Sequence, residues 1–146
     1  MRMAVIACMS FLVVTSCKKK TQFVYDIVPE IRLISAAPVT IKQFQDSVVV
    51  TIEYQDGDGD IGFEHPDSMS LSVQDSRLTQ PDWYFVQPIG PPGHELSIEG
   101  TLTFKLNGTY LLGSGGTEKI VYYIKLKDRA NNWSNEIQTP EITVSK

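Results

Sequence analysis

Three aspartates, Asp56, Asp58 and Asp60, stand at alternate positions with Gly57 and Gly59 between them. Carboxylates spaced this way on a glycine-rich turn can converge on one hard cation, and Ca²⁺ takes roughly six to eight oxygen ligands. The competing expectation is an ordinary solvated turn, because Asp and Gly are favoured turn residues on conformational grounds alone. Carboxylates this close repel one another without a counter-ion, and that repulsion points to calcium as the cofactor to look for.

Other chemistry is thinly represented. His65 and His94 are the only histidines; they lack a metal-ligand spacing and sit beside loop prolines, where surface residues are expected. No Gly-x-Ser-x-Gly, His-Glu-x-x-His or phosphate-binding loop occurs, and no nucleophile–base pair is recognisable, so the chain reads as a non-enzyme. Cys8 and Cys17 both fall in the first segment, which leaves the body without a disulfide, thiol nucleophile or cysteine metal site. With a formal net charge of −4 and a pI of about 5.1, the chain has no basic footprint for nucleic acid. Trp83, Tyr84, Phe85 and Trp133 form an aromatic set of the kind found beside carboxylates on sugar-binding surfaces. Packing into a core, or capping a hairpin, is the simpler expectation for them.

The elements that must hold these residues are strands. Val48, Val50, Ile52 and Tyr54 alternate with Val49, Thr51, Glu53 and Gln55, the period of a strand with one buried face. This strand runs directly into the acidic turn. A second core strand is expected over Glu118–Lys127, with Ile120, Tyr122, Ile124 and Leu126 inward. Weaker patterns predict strands over Glu30–Ala36, with Ile31 and Leu33 on one face, and over Val39–Phe44. Others are Ser68–Gln74 (Met69, Leu71 and Val73 on one face), Trp83–Gln87, Glu95–Leu106 and Glu136–Val144. Prolines and glycines separate them and no helix is indicated. Seven or eight short strands with turn signals between them predict an all-β, antiparallel sandwich. The length of 146 residues suits one domain with a substantial core.

Met1–Ser16 has a short basic start, an apolar run too short to span a bilayer and small polar residues after it, which is the layout of a cleaved signal peptide. It ends in Val14-Thr15-Ser16-Cys17, which resembles the lipobox of bacterial lipoproteins. The resemblance implies cleavage before Cys17 and acylation of Cys17, anchoring the protein in a membrane. Residues 17–29 would then be a lipidated tether and 30–146 the folded domain. Lys18 in place of Asp favours the outer membrane in such lipoproteins. The run Lys18-Lys19-Lys20, in place of an acidic cluster, favours the periplasmic face over the cell surface.

The acidic turn after a Val-rich strand resembles a feature of small Bacteroidota lipoproteins. Lys127-Asp128-Arg129-Ala130-Asn131-Asn132-Trp133-Ser134-Asn135, followed by a closing strand, resembles the last hairpin of bacterial immunoglobulin-like domains, with Asn131 where Gly is usual. Asn tolerates the left-handed backbone that such a turn needs. The resemblance implies an immunoglobulin-like sandwich. In that topology the loop after the second strand and the loop between the last two lie at one end. Asp128, Asn131 and Asn132 would then join Asp56, Asp58 and Asp60 as oxygen donors. The alternative for Asp128 is a turn-stabilising bond to nearby backbone. The aspartate spacing also resembles the start of an EF-hand loop, but Ile61 stands where that loop needs Gly and no flanking helices are indicated.

The expectation is therefore a lipid-anchored envelope module with a structural or ligand-binding role, its partners being the membrane and a glycan or envelope protein. The second reading is a glycan-binding outer-membrane lipoprotein that uses the aromatics.

Overall fold

A computed structural model of the chain describes residues 25–91 and 93–146; the segment expected to be a signal peptide, Cys17 and the Lys18–Lys20 run lie outside the described residues. The described residues are all-β, with ten strands and no helix. In chain order these are β1 (Glu30–Ala37), β2 (Thr40–Lys42), β3 (Val48–Asp56), β4 (Leu71–Asp75) and β5 (Asp82–Tyr84). There follow β6 (Ile98–Leu106), β7 (Thr117–Ile120), β8 (Tyr122–Leu126), β9 (Ile137–Gln138) and β10 (Ile142–Ser145).

They form three sheets ordered β1-β3-β6, β2-β10-β7 and β5-β4-β8-β9. All pairings are antiparallel except that of β2 with β10. β3 is the central strand of its sheet, paired with β6 from Val48↔Leu106 to Asp56↔Ile98 without a shift. Its alternation is strict: Val48, Val50, Ile52 and Tyr54 are buried, and the residues between them are half-buried. β8 repeats the pattern, with Tyr122, Ile124 and Leu126 buried. These faces, with Ile31, Ile41, Ile61, Leu71, Val73, Ile142 and Val144, form one core cluster drawn from all three sheets.

The strand count exceeds the expectation for a physical reason. Glu118–Lys127 and Glu136–Val144 each break, at Val121 and at Thr139-Pro140, into halves that pair with different sheets. Pro140 lacks the N–H a continuous ladder needs. Elsewhere some strands are shorter than their patterns. Met69 lies outside β4 and is 38% exposed, whereas Ser72, between Leu71 and Val73, is buried along with them. Beyond Tyr84 the chain leaves β5, and its backbone pairs instead with the segment after the acidic turn, through Phe63 N to Val86 O and Ile89 N to Ile61 O.

At its N-terminal end the domain uses part of the segment expected to be tether. Pro29 is buried, and the Tyr25 hydroxyl donates to Oε2 of Glu99 on β6.

Candidate metal centre

The inward stripe of β3 does not stop at Tyr54. The next inward position is Asp56, which is 0% exposed although it carries a carboxylate. The chain then turns through Gly57 to Ile61, whose side chain returns to the core. The turn is tight against its neighbours. Gly59 has φ of 73°, and a Cβ there would lie 2.4 Å from the Leu96 carbonyl oxygen, so only glycine fits. Asp58 and Asp60 are half-buried by the same crowding.

The three carboxylates turn toward each other. One oxygen from each of Asp56, Asp58 and Asp60 lies within 4.8 Å of the others, a spread that a single Ca²⁺ with oxygen ligands at about 2.3–2.6 Å can span. The remaining oxygens hold the loop. Asp56 Oδ2 accepts from the backbone N–H of Asp60 at 2.9 Å, and Asp60 Oδ2 accepts from that of Ala130 at 3.0 Å. The Oδ1 atoms of Asp56, Asp58 and Asp60 are buried and have no hydrogen-bond partner. A buried unpaired acceptor is costly, and for a carboxylate the cost is larger still.

The last hairpin closes over this turn. Ile61 and Asp128 form an isolated antiparallel bridge, and Arg129 N donates to Asp60 O at 3.2 Å. Asp128 is 0% exposed and raises the pKa of all three aspartates through its charge. Its oxygens, however, accept from the Asn132 backbone N–H at 2.7 Å and from Asn132 Nδ2 at 2.8 Å. Asp128 and Asn132 therefore spend hydrogen bonds on each other and shape the turn. Asn131 is exposed, with φ of 70°, the left-handed conformation that the position demands. The structure thus sets Asp128 beside the three β3-turn aspartates, and Asn131 and Asn132 in the hairpin turn that follows it.

Electrostatics follow from this packing. Burial first, and then the charge of Asp58, push the Asp56 carboxyl up to about 6. Asp58 and Asp60 are raised as well, chiefly by burial, with Asp128 the largest like charge acting on each. The cation at hand is Arg129, which lowers Asp58 and Asp60 in part while its Nη1 donates to Gly62 O at 3.1 Å. One guanidinium against four carboxylates leaves a net negative site whose charge a divalent ion would largely offset.

Arg129 was not among the expected site residues. Its signal was its place beside Asp128 in a polar turn, which carries no directional information. His94 and Glu95 are exposed and line a hollow beside Asp58, Asp60 and Arg129, while His65 is exposed in its loop.

The aromatic set divides. Tyr84 faces inward and packs against Phe104 at 6.4 Å between ring centroids. Trp83 and Trp133 stand outside, 48% and 37% exposed, with centroids 5.7 Å apart. Lys125 and Lys127 place their Nζ atoms 5.5 Å and 5.6 Å from the Trp133 centroid. A half-buried ion network also emerges that no spacing announced. Arg77 pairs with Asp75 and Glu118 and donates to the Tyr110 carbonyl.

No protein-family model, curated protein or solved structure matches this chain.

Proposed function

We propose that this chain is a lipid-anchored module of the bacterial cell envelope whose immunoglobulin-like β-sandwich is stabilised by one calcium ion. The observation that carries the metal is the set of three buried Oδ1 atoms without partners, on carboxylates with an oxygen each within 4.8 Å of the others. The loops that surround them belong to chain segments some seventy residues apart, Asp60 and Ala130 being joined directly. An ion here would therefore tie the end of β3 to the last hairpin and act as a cross-link at one end of the domain.

The topology supports the immunoglobulin-like reading. The first strand divides into β1, antiparallel to β3, and β2, parallel to β10 in another sheet. β4 pairs with β8, so the connection from β3 to β4 passes from one sheet to another. The anchor rests on the lipobox-like Val14-Thr15-Ser16-Cys17, with outer-membrane, periplasm-facing placement following from Lys18 to Lys20. The role is structural or ligand-binding rather than catalytic.

Calorimetric titration of calcium into the chelator-stripped full chain in detergent tests the metal. Binding of one ion per chain is expected, weakened at least tenfold by Asp58→Asn, and the absence of binding would remove calcium from the account.

A glycan-binding role is the second reading. It is favoured by the neighbouring exposed rings of Trp83 and Trp133, with two lysines beside the latter. Glycan-array binding that is lost in both Trp83→Ala and Trp133→Ala would support it.

A further inference from the structure

β6 is a sheet edge unlike the others. Among the described residues, β3 is its only ladder partner and no other element sends it a backbone hydrogen bond. Its nine residues, Ile98–Leu106, run without bulge or proline. The remaining edges are blunted. β2, β5, β7 and β9 have two to four residues each. β1 is interrupted by a register shift between Leu33 and Ser35, and the Asn135 side chain occupies both the N–H and the carbonyl of Ile31. Natural sheets protect long edges by such devices, and a long straight edge without them is a template for another strand.

The residues of β6 say which strand. Its outward face reads Glu99, Thr101, Thr103 and Lys105, all exposed. Its inward face reads Ile98, Gly100, Leu102 and Phe104, only half-buried, before the fully buried Leu106. Leu102 and Phe104 line an open cleft of about 430 Å³ between β6 and the segment from Tyr84 to Ile89. If a second β6 is laid antiparallel with the two-fold axis at Leu102, all nine residues pair. Glu99 then faces Lys105 of the other copy, and Lys105 faces its Glu99. Thr101 faces Thr103, and Gly100 faces Phe104, an aromatic over a glycine. A slip of two residues in either direction sets both charges opposite a neutral residue. Opposite charges and Thr–Thr pairs are the favourable cross-strand combinations. Among the described residues Lys105 has no ion-pair partner, and Glu99 accepts from Tyr25 through Oε2 alone.

We propose that the partner of this edge is a second copy of the chain, joined through β6 in an antiparallel, two-fold pairing centred on Leu102. The joined sheet runs β1-β3-β6-β6-β3-β1 across the dimer, with Leu102, which lines the cleft, at the axis. The acidic turn lies beyond the Ile98 end of each β6, so the pairing leaves it accessible.

Sedimentation equilibrium of the full chain in density-matched detergent is the test. A reversible monomer–dimer equilibrium is expected. Lys105→Glu and Glu99→Lys, both at exposed positions, should each raise the dissociation constant at least tenfold by setting like charges opposite one another. The double variant Glu99→Lys/Lys105→Glu should return it to within threefold of the native value. Dimerisation that ignores all three variants, or a chain that stays monomeric up to millimolar concentration, would overturn the proposal. A merely structural role for either residue would not give recovery in the double variant.

Discussion

Asp56 occupies a position that the β3 alternation assigns to the core, yet it carries a carboxylate with one oxygen unpaired. This conflict sets the pH behaviour of the metal-free protein. Its folded pKa, raised to about 6 by burial and by Asp58, exceeds the ordinary value, so the folded state favours the protonated form. For a raised acid, the stabilising contribution is present at low pH and is lost as pH rises through the folded pKa. Asp58 and Asp60 shift in the same direction. Thermal melts in chelator should therefore give a higher Tm at pH 5 than at pH 7.5, and calcium should remove the difference. Asp56→Asn should raise the Tm in chelator at pH 7.5 by relieving the repulsion, while abolishing the response to calcium. The spacing of the three aspartates was legible in the sequence, and so was the inward parity of Asp56 once β3 is extended by one step. The orientation of individual oxygens was not, because it depends on backbone N–H groups of Asp60 and Ala130 that only the folded turn brings up.

At the scale of elements, β3 and β8 carry the core, and their two faces should respond differently to charge. Ile52 and Ile124 are 0% exposed, so Ile52→Asp or Ile124→Asp buries an unpaired carboxylate. Each should cost about 4–5 kcal/mol, enough to unfold a marginal domain in urea titration. Thr51→Asp and Lys125→Asp, on the outward face, should stay within about 1 kcal/mol. Period-2 alternation made these strands readable because each has one wet and one dry face. β4 was read less well because both of its faces are covered: Leu71, Ser72 and Val73 are all buried. The Arg77 network was invisible for a related reason. Arg77 joins Asp75 at the end of β4 to Glu118 on β7, and sequence distance conceals that contact. The backbone N–H groups of Gly113 and Leu112, together with Arg77, hold Glu118 below the usual carboxylate range. Arg77→Leu leaves Asp75, 7% exposed, without its partner and should cost about 3 kcal/mol by chemical denaturation.

For the whole molecule, the long-range expectation was that the loop after β3 and the last hairpin meet at one end. Asp128 does lie beside the acidic turn, bridged to Ile61, and Asn131 takes up the left-handed conformation expected of it. Membrane attachment is a separate claim, carried by Cys17. Cys17→Ala should abolish labelling by a fatty-acid analogue and release the protein from membranes, and persistent labelling would contradict the anchor. The claim that unites turn, hairpin and fold is the ion. A ligand that binds only the folded state stabilises it by RT ln(1 + [L]/Kd), about 2.7 kcal/mol at a hundredfold excess over Kd. For a domain of this size that is a rise in Tm of about 10 °C. The most direct measurement is the Tm of the full chain in millimolar calcium against excess chelator at pH 7.5. A rise of that order, largely lost in Asp58→Asn, is expected, and an unchanged Tm in the two conditions would contradict a calcium site.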